Sequence, residues 1–517
     1  MPPSTTTVER DVAIPLRDGT VLRADVWRSA DGPRPVLLQR TPYGKGDSFV
    51  AIHHAGLEPL RAIDAGFTVV ICDVRGRNAS DGAFTPFVHE AADGADVIAW
   101  IAARPFCDGR VCTYGASYPG AAQLLAATRT PPALRAIAPS EAPSTFHDNW
   151  TYRGGVLQQG FVDLWLTELG EPVPAHEEWL AHPDDDAYWR ATAVRERYAA
   201  IDVPALHIGG WHDIFLRGTL ENHAGLTAHA ATSRARDGQR LLIGPWAHAN
   251  PTSWVGDRDY GTDASQMALD LTQRHVRFFA AALADRLDEV PPVEVFVMGP
   301  DRWTTEDAWP PARSSTQRLY LREDAELSPQ SPSTDERPDQ FAYDPADPVP
   351  TVGGATHLPG GLANANAGSR DQREVEARAD VLVYTSAPLT EDLELLGPIT
   401  ASVWAATSAP ETDWTVRLTQ VDPDGRSLTV TDGILRSRYR EGLDRPQSIA
   451  PGQPARYEID LGATATVVPA GSRLRAQVSS SDAPRYARHP LAAHQTIFHD
   501  PRRPSFLDLS VAQGALR

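Results

Sequence analysis

A single serine sits where chemistry is most readily done, at the apex of Arg110-Val-Cys-Thr-Tyr-Gly-Ala-Ser-Tyr-Pro-Gly120. The run predicts a strand, a sharp turn and a helix, with Ser117 at the turn. A strand ending this way lifts a hydroxyl above the sheet edge, and the backbone N–H groups that open the next helix face any oxyanion formed there. The chemistry is therefore nucleophilic attack by Ser117. The spacing departs from the common Gly-x-Ser-x-Gly form, because Pro119 holds the second glycine's place and Gly120 follows one residue later. Proline is tolerated there, since a helix's first turn has no use for its missing N–H.

Two further residues complete an activating set. The apolar run Ala205 to Gly209 leads into Gly210-Trp-His-Asp213, and Arg240 to Ile243 leads into Gly244-Pro-Trp-Ala-His248. Ser117, Asp213 and His248 each follow a predicted strand, in the order serine, acid, histidine found in α/β-hydrolases. An isolated Asp after a strand is usually a helix cap, and an isolated His beside Trp is usually packing. Their joint recurrence at strand ends carries the argument.

The elements that must position these residues alternate between strand and helix. Val12 to Leu16 and Val21 to Trp27 flank an Asp18-Gly19 turn, and Pro35 to Gln39 is a short strand. Ala51 to Ala65 has helical spacing up to Gly66, Phe67 to Cys72 is a buried-strand run, and Glu90 to Ala103 is a second helix. Val111 to Tyr114 and Leu134 to Ala138 are strands. This alternation predicts a mostly parallel sheet covered on both faces, with its site at the carboxyl ends of the strands. Residues 1–140 and 200–290 form this discontinuous α/β unit, closed by a helix from about Ala264 to Leu283. Between 141 and 199 strand signals stop, and Trp150, Tyr152, Phe161, Trp165, Leu166 and Trp179 mark a helical cap. From 291 to 517 short strands, beginning with Val293 to Met298, and Asp-Gly turns predict an all-β sandwich or jelly roll.

Composition narrows the function classes. Over 517 residues, 42% hydrophobic and 22% charged content describes a globular chain, and the formal net charge of -19 disfavours nucleic acid as a partner. No run of 18 apolar residues and no leader pattern occurs, so a cytoplasmic protein with no membrane partner is expected. Cys72, Cys107 and Cys112 make no CxxC pair and are expected as buried free thiols. Lys45 is the only lysine in the chain. It is either a relic of arginine-rich composition or a site where a planar guanidinium does not fit. Neither HExxH nor a Cys/His spacing suited to zinc is present, and His53-His54 has no partner pattern, so no cofactor and no metal is expected.

The motifs Arg40-Thr-Pro-Tyr43-Gly-Lys45, Asp73-Val-Arg-Gly-Arg77, Ser80-Asp-Gly82, Gly115-Ala-Ser117-Tyr118-Pro-Gly120, Gly210-Trp-His-Asp213 and Gly244-Pro-Trp-Ala-His248 together resemble the cocaine esterase-like hydrolases. These are related to X-prolyl dipeptidyl aminopeptidases and α-amino acid ester hydrolases. Phe296-Val-Met-Gly299, Arg302-Trp303 and Arg378 to Ser386 extend the resemblance into the carboxy-terminal part. Gly-x-Ser-Tyr-x-Gly is that family's own elbow. The resemblance implies an α/β-hydrolase domain with an inserted cap and a galactose-binding-like jelly roll beside the site. It also implies Ser117 as nucleophile, His248 as general base, Asp213 as its orienting acid, and an oxyanion hole from the Tyr118 backbone N–H and the Tyr43 phenol. Trp150, Trp165 and Phe215 would line the acyl pocket.

The expected reaction is hydrolysis of a small-molecule carboxylic ester through an acyl-enzyme. Amide hydrolysis by the same fold stands as the alternative, with the acids Asp148, Asp163, Glu168 and Glu171 of the cap as holders of a substrate ammonium group. A binding protein with a degenerate hydrolase domain is a third reading. Physiological substrate and homo-oligomer formation are left open.

Overall fold

The computed structural model describes residues 6–47, 56–170, 174–358 and 366–516. His53, His54 and Glu171 lie outside the described residues. The amino-terminal part is built on a ten-stranded sheet. Its strands are β1 (Thr6–Pro15), β2 (Val21–Ser29), β3 (Arg34–Thr41), β4 (Thr68–Asp73) and β5 (Cys107–Ala116). They continue as β6 (Leu134–Ser140), β7 (Leu206–His212), β8 (Arg240–Ala247), β9 (Val293–Val297) and β10 (Arg302–Glu306). The spatial order is β1-β2-β4-β3-β5-β6-β7-β8-β9-β10. From β4 to β9 every pairing is parallel, while β1, β2 and β10 add antiparallel edges.

Strand order reverses between β3 and β5, because β4 lies on one side of β3 and β5 on the other. The loops leaving the carboxyl ends of such neighbours diverge and open a crevice between them. Tyr43 leaves β3 and Ser117 leaves β5, so the topology alone sets these two residues face to face. Helices cover both sheet faces. Val36, Leu38, Val70 and Cys72 pack with α2 (Glu90–Ala102) and α3 (Tyr118–Ala127), whereas Leu37, Val69, Ile71 and Cys112 pack with Phe278 and Phe279 of the helix Leu271–Leu283. This is the two-residue alternation of a strand buried on both faces. All three cysteines are free and buried, and burial pushes the Cys72 and Cys112 thiols up to about 12.

The structure departs from the sequence reading at four places. Val293–Val297 does not open the carboxy-terminal sheet; it pairs in parallel with β8, and β10 follows it as the edge of the first sheet. Both sheet types need short apolar strands, so local pattern could not assign it. Residues 51–55 of the helix expected over Ala51–Ala65 lie outside the described residues, and in the remainder α1 covers Pro59–Asp64, since Pro59 favours the first helical position. The long helix begins at Leu271, where the Asp270 carboxylate accepts from the Gln273 N–H and caps it. Within 141–199, the helices Gln159–Leu169 and Ala175–Ala181 are preceded by a π-turn at Phe146–Thr151 and a two-stranded hairpin closed by Gly154 and Gly155. Both glycines take positive φ, and a Cβ on Gly154 would strike the Ile434 carbonyl, so this hairpin docks against the carboxy-terminal sheet.

That second sheet has eleven strands and a core of its own around Trp414, Tyr457, Leu418 and Val478. Leu393–Thr407 is its longest strand and pairs with Phe506–Gln513, Ala493–Phe498 and Ala455–Val468. The Pro423-Asp424-Gly425 turn joins Asp413–Val421 to Ser427–Arg436 as an antiparallel hairpin. Among the described residues, no helix is long and apolar enough to cross a membrane.

Candidate active site

Ser117 follows β5 directly and adopts φ 63°, ψ -124°, a left-handed conformation that costs an ordinary residue about 1–3 kcal/mol. Neighbouring groups hold it there. Its N–H donates to the Ser140 carbonyl at the end of β6 (3.0 Å), and its carbonyl accepts from Ala121 in α3 (3.0 Å). The irregular glycine spacing has a steric cause. A Cβ on Gly115 would lie 2.6 Å from the Pro119 Cβ, and one on Gly120 would lie 2.7 Å from the Ser140 carbonyl oxygen. The helix must pass this close to β6 for the serine to stand proud of the sheet. Tyr118 is the first residue of α3, so its backbone N–H has no partner within the helix.

The other two strand-end residues converge on Ser117. His248 comes directly after β8 and Asp213 directly after β7. The His248 Nε2 lies 3.2 Å from the Ser117 Oγ, and its Nδ1 lies 2.8 Å from the Asp213 Oδ1. All three side chains are buried. Such a set can pass the serine proton to the imidazole while the carboxylate fixes the ring's orientation.

Tyr43 stands across the crevice. Its phenol oxygen accepts from the Trp165 Nε1 at 3.0 Å and is hydrogen-bonded to the Ser117 hydroxyl. Burial pushes the phenol well above its ordinary value, with the Trp165 and Ser117 hydrogen bonds opposing the shift, so it stays a neutral donor. The phenol of Tyr118 points elsewhere. It donates to Glu90 Oε1 (2.8 Å) and accepts from the Phe87 N–H (3.1 Å), while Glu90 Oε2 pairs with Arg40 (2.7 Å). This buried network fixes the first turn of α3.

The three aromatic residues expected in the pocket form one cluster. Trp150 stacks on Phe215 (centroids 5.0 Å, 8°) and meets Trp165 edge-on (5.1 Å), while Phe215 meets the His248 ring edge-on (5.0 Å). Sequence reasoning did not assign three neighbours to the site. Phe161 packs edge-on against Trp150. His357 comes from beyond the first sheet, and its ring lies 5.0 Å from that of His248. Glu141, directly after β6, places Oε2 3.3 Å from the His248 Nδ1. A carboxylate immediately past a parallel strand was the one signal for Glu141.

Other expectations are placed differently. Asp148 is buried, pairs with Arg217 at 2.6 Å and accepts from the Gly154 N–H, so it is already engaged. Lys45 sits among three carboxylates, with Nζ 2.7 Å from Asp11, 3.4 Å from Asp73 and 3.9 Å from Asp25. Burial opposes its charge, but the Asp11 hydrogen bond and the surrounding carboxylates hold its pKa above the ordinary value. Its backbone N–H also donates to Asp73 (2.7 Å), which ties the Tyr43 loop to the end of β4. Glu141, Asp213 and His248 each offer one ligand atom within 4.8 Å of the others, the one such group among the described residues. It coincides with the serine's partners.

This fold and these residue types define a class, the serine hydrolases. The family model for X-Pro dipeptidyl-peptidase (S15 family) matches residues 18–174 and 163–250, and that for the X-Pro dipeptidyl-peptidase C-terminal non-catalytic domain matches 286–508. The cocaine esterase of Rhodococcus sp. (strain MB1 Bresler) is 34% identical over 93% of this chain and 92% of its own. The chain belongs to this family, the cocaine esterase-like hydrolases of the S15 type. Two solved structures share the fold at 24% identity. An aminopeptidase from a marine sediment archaeon, Thaumarchaeota archaeon, superposes with a TM-score of 0.86 over 99% of this chain and 97% of its own. An α-amino acid ester hydrolase gives 0.84 over 98% and 97%.

Proposed function

We propose that this protein hydrolyses small-molecule carboxylic esters through an acyl-enzyme on Ser117. The observation that carries the proposal is the continuous path from Ser117 Oγ through the His248 ring to Asp213, at 3.2 and 2.8 Å. His248 takes the hydroxyl proton at Nε2 as Ser117 attacks the carbonyl, and returns it to the leaving alcohol; water then repeats the sequence and releases the acid. The Tyr118 N–H and the Tyr43 phenol hold the oxyanion. Trp165, by donating to the Tyr43 oxygen, leaves the phenol's own proton for that task. Trp150, Phe161 and Phe215 receive the acyl group, which favours a flat or aromatic one.

In domain terms, we read an α/β-hydrolase unit running to about residue 306, interrupted by a cap at 141–199 and followed by a jelly roll. The alternative of amide cleavage draws support from the X-Pro dipeptidyl-peptidase family model. Against it, the buried cap acid Asp148 is neutralised by Arg217 and cannot serve a substrate ammonium group without losing that partner. A fluorophosphonate probe, followed by a panel of aryl esters, amino-acid esters and Ala-Pro anilides, tests both statements. Labelling of wild type and not of Ser117→Ala, with aryl esters cleaved fastest, is expected. An unlabelled wild type removes the serine mechanism, and anilides leading the panel reverse the preference.

A further inference from the structure

Two carboxylates, not one, face the histidine's Nδ1. Asp213 approaches from the end of β7 at 2.8 Å, and Glu141 from the end of β6 at 3.3 Å. The chain goes to some cost to place Glu141 there. Its backbone lies at φ 46° without being glycine, a conformation held by its N–H donating to the Ile208 carbonyl in β7 (2.7 Å). Its Oε2 also accepts from the Ala249 N–H (3.3 Å), the residue after His248, which is itself at φ 55°. The side chain is 4% exposed. A buried carboxylate with no task at this spot would be expected to give way to an apolar side chain, because two like charges so close are unfavourable.

We propose that Glu141 is a second positioning acid for His248, sharing with Asp213 the orientation of the ring and the stabilisation of the imidazolium that forms when Ser117 is deprotonated. The inference rests on the serine mechanism proposed above. With a neutral imidazole the two carboxylates repel across one N–H; when the ring takes the serine proton at Nε2, its positive charge lies between them and the repulsion is relieved. The gain is therefore larger in the transition state than at rest. The proton inventory is unchanged, since the single transferred proton moves from Ser117 to His248 and on to the leaving group. Among the described residues, Ser117, Asp213, Glu141 and His357 face His248, with Tyr43 behind Ser117.

Glu141→Gln, Asp213→Asn and the double variant separate this from a structural role, with the pH profile of kcat/KM as the deciding readout. A second negative charge makes His248 more basic, so its removal in Glu141→Gln moves the acid limb down by about one pH unit. Asp213→Asn is expected to lose about 10²-fold, less than the roughly 10⁴ seen where a single acid supports the histidine. The double variant should fall at least about 10-fold below Asp213→Asn. An unmoved acid limb, or a double variant no worse than Asp213→Asn, overturns the proposal. If Glu141→Gln does not fold, Glu141→Met removes the charge at similar volume and is read the same way. Ser117→Ala and His248→Ala are run alongside: full activity in either variant refutes the underlying mechanism and not merely the part assigned to Glu141.

Discussion

Removing the Tyr43 hydroxyl separates the oxyanion from the rest of the machinery. Tyr43→Phe keeps the ring in its crevice and leaves the path from Ser117 through His248 to Asp213 in place. Loss of one preorganised oxyanion donor costs about 10²–10³ in kcat, equivalent to about 2.7–4 kcal/mol. The structure adds a second consequence. The Trp165 Nε1 now donates to the phenol oxygen at 3.0 Å, and Trp165 is 2% exposed, so the variant strands a buried donor. That costs about 1–3 kcal/mol of stability. Burst kinetics with a p-nitrophenyl ester and a thermal melt read the two effects separately. Trp165→Phe provides the converse, since it keeps the phenol but frees it to turn, and it should lose rate by a smaller factor than Tyr43→Phe. A Tyr43→Phe enzyme within about threefold of wild type would show that no phenol proton reaches the oxyanion, and the magnitude taken from oxyanion donors elsewhere would not apply.

Three other outcomes follow from groups around the site and in the second sheet. His499 is buried between Glu336 and Asp339 (both 3.1 Å); burial disfavours its charge, but the Asp339 and Glu336 bonds prevail and raise its pKa. A histidine with a raised folded pKa adds stability that is complete below its unfolded value of about 6.5 and is lost as pH climbs through the folded value. Melting temperature should accordingly fall as pH rises above about 6.5, and His499→Gln should flatten that slope; an identical slope in the variant refutes the assignment. Lys45→Met leaves Asp73 and Asp25 facing each other without the ammonium, so both melting temperature and turnover should fall. Lys45→Arg should recover only part, because a planar guanidinium cannot meet three carboxylates as a point charge can, and full recovery would make the lone lysine incidental. Dialysis against a chelator should leave esterase turnover unchanged; a loss restored by a divalent cation would reassign Glu141, Asp213 and His248 to a metal.

The sequence displayed the parts of the site that depend on strand-end position and hid those that depend on neighbours. Ser117, Asp213 and His248 announce themselves because a polar residue after an apolar run and before glycine-bearing loops has few other reasons to recur. Glu141 follows β6 in the same manner, but Pro139-Ser-Glu141 lacks a turn motif and reads as the end of an ordinary strand. His357 is separated from His248 by more than a hundred residues and by a change of sheet, so nothing local marks it. Strand β9 shows the same limit at the level of fold. Five apolar-rich residues suit either sheet, and only pairing with β8 decides between them. Trp165 is legible as a cap aromatic, whereas its hydrogen bond to Tyr43 requires the cap and the β3 loop to be seen together.

One covalent bond, between Ser117 and the acyl group, decides the mechanism. Rapid quenching of the enzyme with a slowly deacylating aryl ester, followed by peptide mapping, should find the acyl mass on the peptide carrying Ser117, formed in step with the burst of leaving alcohol. Acyl mass on another residue, or a burst with no covalent adduct, would contradict the proposed mechanism.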